Sequence, residues 1–486
     1  MKPKPNIVFI LTDDQGWKDL SCTGSLYYRT SHIDRLADDG VLFTQAYSAA
    51  PICSPSRGAI YGGQYPARTK LSAVVRPYVE PDAGLQQMSK PQKGNLQTRE
   101  APHRHCLPPN VPTIAELLRP AGYRTGFVGK WHCGWNEAHQ PDKRGWDYAV
   151  GFRTVPTGTK GHFGKDFIEF KCKGLDDMRP DEYMTDVLTD RAEGFLREAA
   201  GSGEPFFLVL SHYAVHQPLD APPELVEKYR KLPTTDHDNP IYAAMLEKVD
   251  DSIGRVVEIL AELGIADNTM VVFTSDNGGL SPKSTSNYPL MGGKSFCYEA
   301  AMRVPLVVKW PAAVAPGRRE STRTISVDFM KTWLEMAGVT PPANLPLDGV
   351  SLLGLLIDGR RPLARPIFFH HPHYTHAAGP FSSVIDNDWK LIRFYNDTSG
   401  RDQVFDLAVD PFEQDDLSAA RPARADKLRK ILDDWLAETA AEMPLPNEQF
   451  NADQPPLKDK RFTWELALAE RAEHERKLRA SEVGRQ

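Results

Sequence analysis

Short apolar runs recur along the chain, and each ends abruptly in acids, bases or amides. They are "NIVFILTDDQG" (Asn6 to Gly16), "YRTGFVGKWHCG" (Tyr123 to Gly134), "PFFLVLSHYAVHQP" (Pro205 to Pro218) and "NTMVVFTSDNGG" (Asn268 to Gly279). Unbroken apolar character of this length marks strands of a parallel sheet covered on both faces. Helical patterns lie between the runs. "TIAELLRPAG" opens with Thr113 and Glu116 at capping-box spacing and closes on Gly122, a C-cap residue. In "IYAAMLEKVDDSIGRVVEILAELG", residues Met245, Val249, Ile253, Val256, Leu260 and Leu263 return at helical spacing. The alternation predicts an α/β fold with a large, mixed, mostly parallel sheet sandwiched by helices.

The pattern changes after "LDGVSLLGLLIDGRRPLARP". "SSVIDNDWKLIRFY" reads as a hairpin about Asp386, Asn387 and Asp388, and "QVFDLAVDPFEQDD" as a strand running into a turn. Residues 419–443 read as helix, and the chain from Arg461 onward as a charge-rich helix or frayed arm. The expected division is a main α/β domain over 1–361 and a C-terminal subdomain over 362–486, with a small antiparallel sheet and a helical tail. There is no internal repeat.

Composition narrows the function classes. With 41% hydrophobic and 25% charged residues and a net charge of -6, the chain reads as an ordinary globular protein without the basic field of a nucleic-acid binder. No stretch has the apolar length needed to span a bilayer, so no membrane is expected as a partner. The start, "MKPKPNIVFILTDDQG", reads as a first strand and not as a signal peptide, which predicts a cytoplasmic protein. A removed leader would make it periplasmic or secreted. Oligomeric state leaves no signal in the sequence. The six cysteines form no Cys-x-x-Cys pair, and free thiols are expected. Cys22, Cys106, Cys133, Cys172 and Cys297 read as small buried residues, while Cys53 has a context that needs explaining.

Ligands of open α/β sheets bind beyond the carboxyl ends of the strands. The residues found there are Asp13, Asp14, Lys130, His132, His216, Asp276 and Asn277. Asp13, Asp14, Asp276 and Asn277 offer only oxygen, which suits calcium or magnesium and not zinc. Either pair alone would serve equally as a cap or turn former, but two pairs at two strand ends favour a metal. Lys130 in "VGKWH" and Lys294 in "MGGKSF" are flanked by glycines that let an ammonium enter a cleft and meet an anion; the plainer reading is a solvated surface lysine. His132 and His216 are acid-base candidates, against the ordinary role of a hydrogen-bonded structural histidine. In "PICSPSRGAIYGGQYPAR", Cys53 opens a helix with Arg57 one turn on. A thiol at that positive end is expected to have a lowered pKa, giving a reactive thiolate, with an inert buried cysteine as the competing reading.

"CSPSRGAIYGG", with "TDDQG" upstream, resembles the signature of the sulfatase family, Cys-x-Pro-x-Arg followed by a threonine-glycine turn. The resemblance continues in family order through "GYRTGFVGKWH", "FFLVLSHYAVHQP", "VVFTSDNGG" and "GGKSFCYEAAMRVPLVV", and "VFDLAVDPFEQDDLS" is similar to a phrase of the family's C-terminal subdomain. It implies an alkaline-phosphatase-like fold, one Ca2+ or Mg2+ per chain, and a maturase that oxidises Cys53 to formylglycine during synthesis. Three positions depart from the pattern: Gly62 replaces threonine, His132-Cys133-Gly134 replaces an aliphatic before glycine, and Ala300 and Ala301 replace glycines. Because Cys53, Pro55 and Arg57 are intact, maturation is expected.

The resemblance implies a mechanism. One hydroxyl of the hydrated aldehyde, deprotonated with help from Asp276 and the metal, attacks the sulfur of a sulfate ester. His216, with Lys294, protonates the leaving oxygen, and His132 helps the second hydroxyl expel sulfate. Arg57, Lys130, Lys294 and the cation stabilise the charge. The expected activity is arylsulfatase-like and exo-acting, on a sulfated carbohydrate or small sulfate ester. The alternative within the superfamily is a phosphonate monoester or phosphodiester hydrolase. His103, Arg104, His105, His371, His373 and His376, in "QTREAPHRHCLPPN" and "FFHHPHYTHAAGP", are candidates to line the pocket mouth, against a reading as exposed loop residues.

Overall fold

The computed structural model describes residues 3–76, 84–86, 95–153, 160–168, 172–281, 283–375, 379–396, 402–451, 453, 472, 475 and 476. His376 and most of the chain beyond Arg461 lie outside them.

The main sheet has eight strands: β1 (Asn6–Thr12), β2 (Val41–Phe43), β3 (Arg124–Gly129), β4 (Tyr148–Val150), β5 (Phe206–Ser211), β6 (Thr269–Ser275), β7 (Leu306–Lys309) and β8 (Arg318–Glu320). Their spatial order is β8-β2-β7-β6-β1-β5-β3-β4, and every pairing is parallel except those of β7 with β2 and with β6. The central strands β1, β5 and β6 are buried at every residue, which is why their sequences are continuous and not alternating.

Helices cover both faces. On one, α2 (Met184–Ser202) and α3 (Pro240–Glu262) pack through Leu188, Phe195, Val249 and Ile253 onto Val8, Ile10 and Leu208. On the other, α1 (Cys53–Gly62) and α4 (Asp328–Ala337) set Ile60, Met330 and Trp333 against Phe9, Phe207 and Val272. Asn239 caps α3 by accepting from Ile241 N–H and Tyr242 N–H, both at 3.2 Å, and the capping box at Thr113 and Glu116 forms as its spacing predicts.

A separate antiparallel sheet follows, β9 (Ile367–His371), β10 (Phe381–Asp386), β11 (Trp389–Phe394) and β12 (Gln403–Asp406), in sequential order, backed by α5 (Pro422–Glu438). The hairpin turns at Asn387, whose φ of 53° is one that asparagine tolerates better than most residues. Among the described residues no helix is long and apolar enough to cross a membrane.

Candidate active site

Sheet register gathers the site. Thr12 stands opposite Ser275, so Asp13-Asp14 and Asp276-Asn277 leave adjacent strands side by side. Ser211 pairs with Leu11 on one side and Gly129 on the other, which places Lys130 next in the row. Gly129 has φ 107°, and an added Cβ would lie 1.9 Å from the Ser211 carbonyl oxygen, so only glycine allows β3 to deliver Lys130 so close to β5.

The oxygen donors converge as the metal reading expects. Asp13, Cys53 and Asp276 present atoms within 4.8 Å of one another, as do Asp13, Asp14 and His216. Asp14 adopts φ 63°, and its Oδ1 accepts from Asn277 Nδ2 at 2.9 Å. Among the described residues, Asp13 Oδ1 and Asn277 Oδ1 are buried without a hydrogen-bond partner, Asp13 Oδ1 lying 3.7 Å from Arg57 Nη2 as an ion pair. Hard oxygens so poorly hydrogen-bonded beside two further carboxylates fit a Ca2+ or Mg2+ ion, because burying such atoms without hydrogen bonds is costly.

The cationic side chains balance part of this charge. Arg57 is completely buried: Nε donates to Asp276 Oδ2 at 2.7 Å, and Nη1 donates to Lys130 O at 2.9 Å and Ser211 Oγ at 2.7 Å. Lys130 Nζ pairs with Asp13, and Lys294 Nζ with Asp14 Oδ2 at 2.6 Å. Burial alone would raise Asp13, but Lys130, His216, Arg57 and Lys294 hold its carboxyl well below the ordinary range. Asp276 goes the other way: burial, aided by the charge of Asp13, pushes it up to about 7 against the pull of Arg57.

Cys53 is the first residue of α1 and is buried among these groups. The expected lowered thiol pKa is not found. Burial raises the Cys53 thiol, and Lys130 and Lys294 offset only part of the rise, so a buried thiol at a ten-residue helix start is not a ready thiolate. Ser56 Oγ donates to the Asp276 carbonyl, tying the helix to the strand end that carries Asp276.

His132 has φ 59°, and its Nδ1 is buried without a hydrogen-bond partner among the described residues; burial, Lys130 and Arg57 push its pKa well down. His216 Nδ1 faces the carbonyl oxygen of Gln217, which assigns the proton to Nδ1 and leaves the Nε2 lone pair 3.6 Å from Asp14 Oδ2. Burial, with Lys294, pushes His216 down to about 4. His162 Nε2 donates to the His216 carbonyl oxygen at 2.8 Å and fixes that turn.

The sulfatase family profile matches residues 5–339, and a profile described as N-sulphoglucosamine sulphohydrolase, C-terminal, matches 291–442. This chain belongs to the sulfatase family. It is a sulfuric ester hydrolase. It is 31% identical to the N-acetylgalactosamine-6-sulfatase of Sus scrofa over 469 residues, covering 88% of this chain and 84% of that one. A crystal structure of Ps i-CgsB in complex with k-i-k-neocarrahexaose superposes with a TM-score of 0.76 at 27% identity, over 97% of this chain and 99% of that one. The phosphonate monoester hydrolase of Agrobacterium radiobacter shares the fold, with a TM-score of 0.65 at 20% identity over 90% of this chain and 96% of that one.

Packing accounts for one departure from the sulfatase signature. At Gly62, an added Cβ would lie 2.9 Å from Val111 Cγ1 and 3.3 Å from Leu107 Cδ1, so these side chains fill the space a threonine would need.

Four of the six candidate substrate residues assemble in a way the sequence did not announce. His103, His105, His371 and His373 are all buried, and their rings form a chain, with His103 4.3 Å from His105 and 4.9 Å from His373, and His371 5.5 Å from His373. His373 Nε2 meets Ser72 Oγ at 2.8 Å, and Val75 N–H donates to Ser54 Oγ at 3.1 Å, so this wall continues to the residue beside Cys53. They are therefore not the exposed loop residues of the plainer reading. Arg104 faces a different cleft. Sequence reasoning missed Ser56, His162 and Ser211. Ser211 ends an apolar strand, the same signal that singled out Asp13 and Asp276, whereas nothing local marks Ser56 or His162.

Proposed function

We propose that this sulfatase removes sulfate from a sulfated carbohydrate in an exo-acting manner, using formylglycine made from Cys53 by a maturase, and one Ca2+ or Mg2+. The observation that carries this reading is the approach of Cys53 to Asp13 and Asp276, which joins the signature cysteine to the oxygen cluster. The carbohydrate class rests on the named activity of the Sus scrofa relative and the oligosaccharide bound by the structural neighbour.

Asp13, Asp14, Asp276 and Asn277 would hold the cation, which when bound supplies Lewis-acid stabilisation of sulfuryl oxygens, and the aldehyde hydrate supplies the nucleophile. The remaining work falls to side chains already in place. Asp276 carries a pKa near neutrality and is the acceptor for the nucleophile's proton. Lys130, Lys294 and Arg57 provide fixed positive charge around position 53. The resting His216 tautomer keeps its proton on Nδ1, bound to Gln217, so it donates through Nε2 only as imidazolium. Lys294 is held charged by Asp14 and needs no such step, which makes it the leaving-group donor of the resting site. His132, whose buried Nδ1 has no hydrogen-bond partner among the described residues, is the base for sulfate release.

The test is the mass of the tryptic peptide Leu36–Arg57 from protein made with a maturase, paired with turnover of aryl sulfate. A peptide lighter by the difference between a thiol-bearing methylene and an aldehyde, with turnover, is the expected result; an alkylatable Cys53 in active protein would refute it. Shared fold with the Agrobacterium enzyme motivates a second reading, phosphonate monoester or phosphodiester hydrolysis, and a higher rate on aryl phosphonate than on aryl sulfate would put it first.

A further inference from the structure

A second cleft of about 600 Å³ lies beyond the carboxyl end of α1, the end opposite Cys53. Its charged lining is Arg68, Lys70 and Arg104, its amide lining is Gln64, Asn110 and Asn344, and among the described residues no Asp or Glu lines it. In a chain of net charge -6 this is a local reversal of sign.

The three cations differ in how far they are neutralised. Arg68 is paired with Asp348 at 2.7 Å and Glu438 at 2.9 Å. Lys70 Nζ donates to the carbonyl oxygens of Thr439, at 3.0 Å, and Ala440, which solvate its charge without cancelling it. Arg104 is anchored by its backbone: its N–H donates to Lys70 O at 2.8 Å, and its carbonyl oxygen accepts from His103 Nδ1 at 3.1 Å. Its guanidinium makes no hydrogen bond or ion pair among the described residues, although the side chain is only half-exposed. Burial lowers the pKa of Lys70 against the raising charge of Glu442, and Arg68 and Arg104 add smaller lowering effects. The neighbours His103 and His105 turn into the histidine wall, so one short segment serves two sites.

We propose that this cleft is a second saccharide subsite, which takes a sulfate or carboxylate group on Arg104 and Lys70 and sugar hydroxyls on the three carboxamides. The inference rests on the reading that the substrate is a sulfated carbohydrate. The ten residues of α1 alone span about 15 Å, so the anion held here belongs to a different saccharide unit from the one at position 53. Planar guanidinium suits this task because it binds sulfate and carboxylate oxygens in pairs.

The experiment uses the full chain carrying Cys53→Ala, which binds without turnover, and measures calorimetric affinity for a chondroitin 6-sulfate hexasaccharide and for the corresponding disaccharide. Adding Arg104→Gln is expected to weaken hexasaccharide binding about tenfold, the loss of one charge-assisted contact, and to leave disaccharide binding unchanged. Arg104→Lys is expected to restore most of the loss, and melting curves of all three proteins check that folding is intact. Hexasaccharide affinity that survives Arg104→Gln unchanged overturns the subsite while leaving the carbohydrate reading standing. Equal losses for both saccharides overturn it too, by placing Arg104 in the main pocket. Failure of the Cys53→Ala chain to bind either saccharide removes the carbohydrate reading and the subsite with it.

Discussion

Two buried ionic clusters are joined by the short segment from Lys294 to Glu299, and they are built to opposite rules. Around Glu299, each carboxylate oxygen has a cation or a hydrogen-bond donor against it. Lys390 Nζ lies 3.2 Å from Glu299 Oε1 and 2.6 Å from Glu413 Oε1, while Tyr47 donates to Glu299 Oε2 at 2.6 Å and Glu299 N–H to Glu413 Oε2 at 2.7 Å. Around Asp13 the contacts are looser: among the described residues Asp13 Oδ1, Asn277 Oδ1 and Arg57 Nη2 lack hydrogen-bond partners, and Asp13 Oδ1 meets Arg57 Nη2 only as an ion pair at 3.7 Å. A closed cluster fixes the antiparallel sheet to the segment behind Lys294, whereas an open one is ready for an ion and an anionic ester. Burial of charge thus separates structure from function only when the leftover atoms are counted.

The sharpest way to break this contrast is to remove the groups on which each cluster turns. Cys53→Ala in the open cluster should lower the turnover of aryl sulfate by a factor on the order of 10⁵, as loss of a nucleophile does, while the melting temperature hardly moves. Residual turnover within tenfold of the parent would remove position 53 from the chemistry. Lys390→Met in the closed cluster should do the reverse. It strands Glu413 without its lysine and leaves Glu299 only Arg303 at 3.8 Å, at a cost of about 3–5 kcal/mol, read as a lowered urea midpoint. A variant as stable as the parent would show that the closed cluster is not holding the antiparallel sheet to the segment behind Lys294.

The open cluster was legible in the sequence for a definite reason. Parallel strands in register deliver successive residues to one edge, so polar residues directly after "NIVFILT" and "NTMVVFTS" had to meet. The antiparallel hairpin was equally readable from Asp386-Asn387-Asp388. What escaped depends on distances across the chain. The closed cluster joins Tyr47, Glu299, Lys390 and Glu413, which share no local pattern. The helix terminus and Arg57 one turn on point to a lowered Cys53 thiol, yet burial outweighs them. The histidines of two distant segments were visible as candidates, but their stacking into one buried wall arises from how β9 packs against the chain following α1.

The buried histidines give a third, smaller test, made at His370, which lies on β9 beside the wall and bonds Ser382 Oγ at 2.7 Å and the Glu442 carbonyl oxygen at 3.0 Å. Burial pushes His103 down to about 3 and His105 and His370 to about 4, so all three stay neutral in the fold while their unfolded counterparts protonate near 6.5. Their contribution is therefore complete above pH 6.5 and is lost as the pH falls toward 4 and then 3. For the fully buried His370 alone this amounts to about 3 kcal/mol. His370→Gln should flatten the fall of melting temperature between pH 6.5 and 4; an unchanged slope would mean that His370 does not set the acid sensitivity.

The smallest expected effect bears most directly on the leftover oxygens. If Asp13 Oδ1 and Asn277 Oδ1 are held open for a cation, then Ca2+ or Mg2+ at about a hundred times its dissociation constant should stabilise the chelator-treated protein by roughly 2.7 kcal/mol, by mass action alone. Asn277→Leu removes one of those oxygens and should shrink this thermal shift, while the same shift should persist in Lys390→Met, whose cluster offers no free ligand. Melting curves with and without the ion decide the matter independently of turnover. A shift of equal size in Asn277→Leu would mean that the ion sits elsewhere, and that the open cluster is open for the ester and not for the metal.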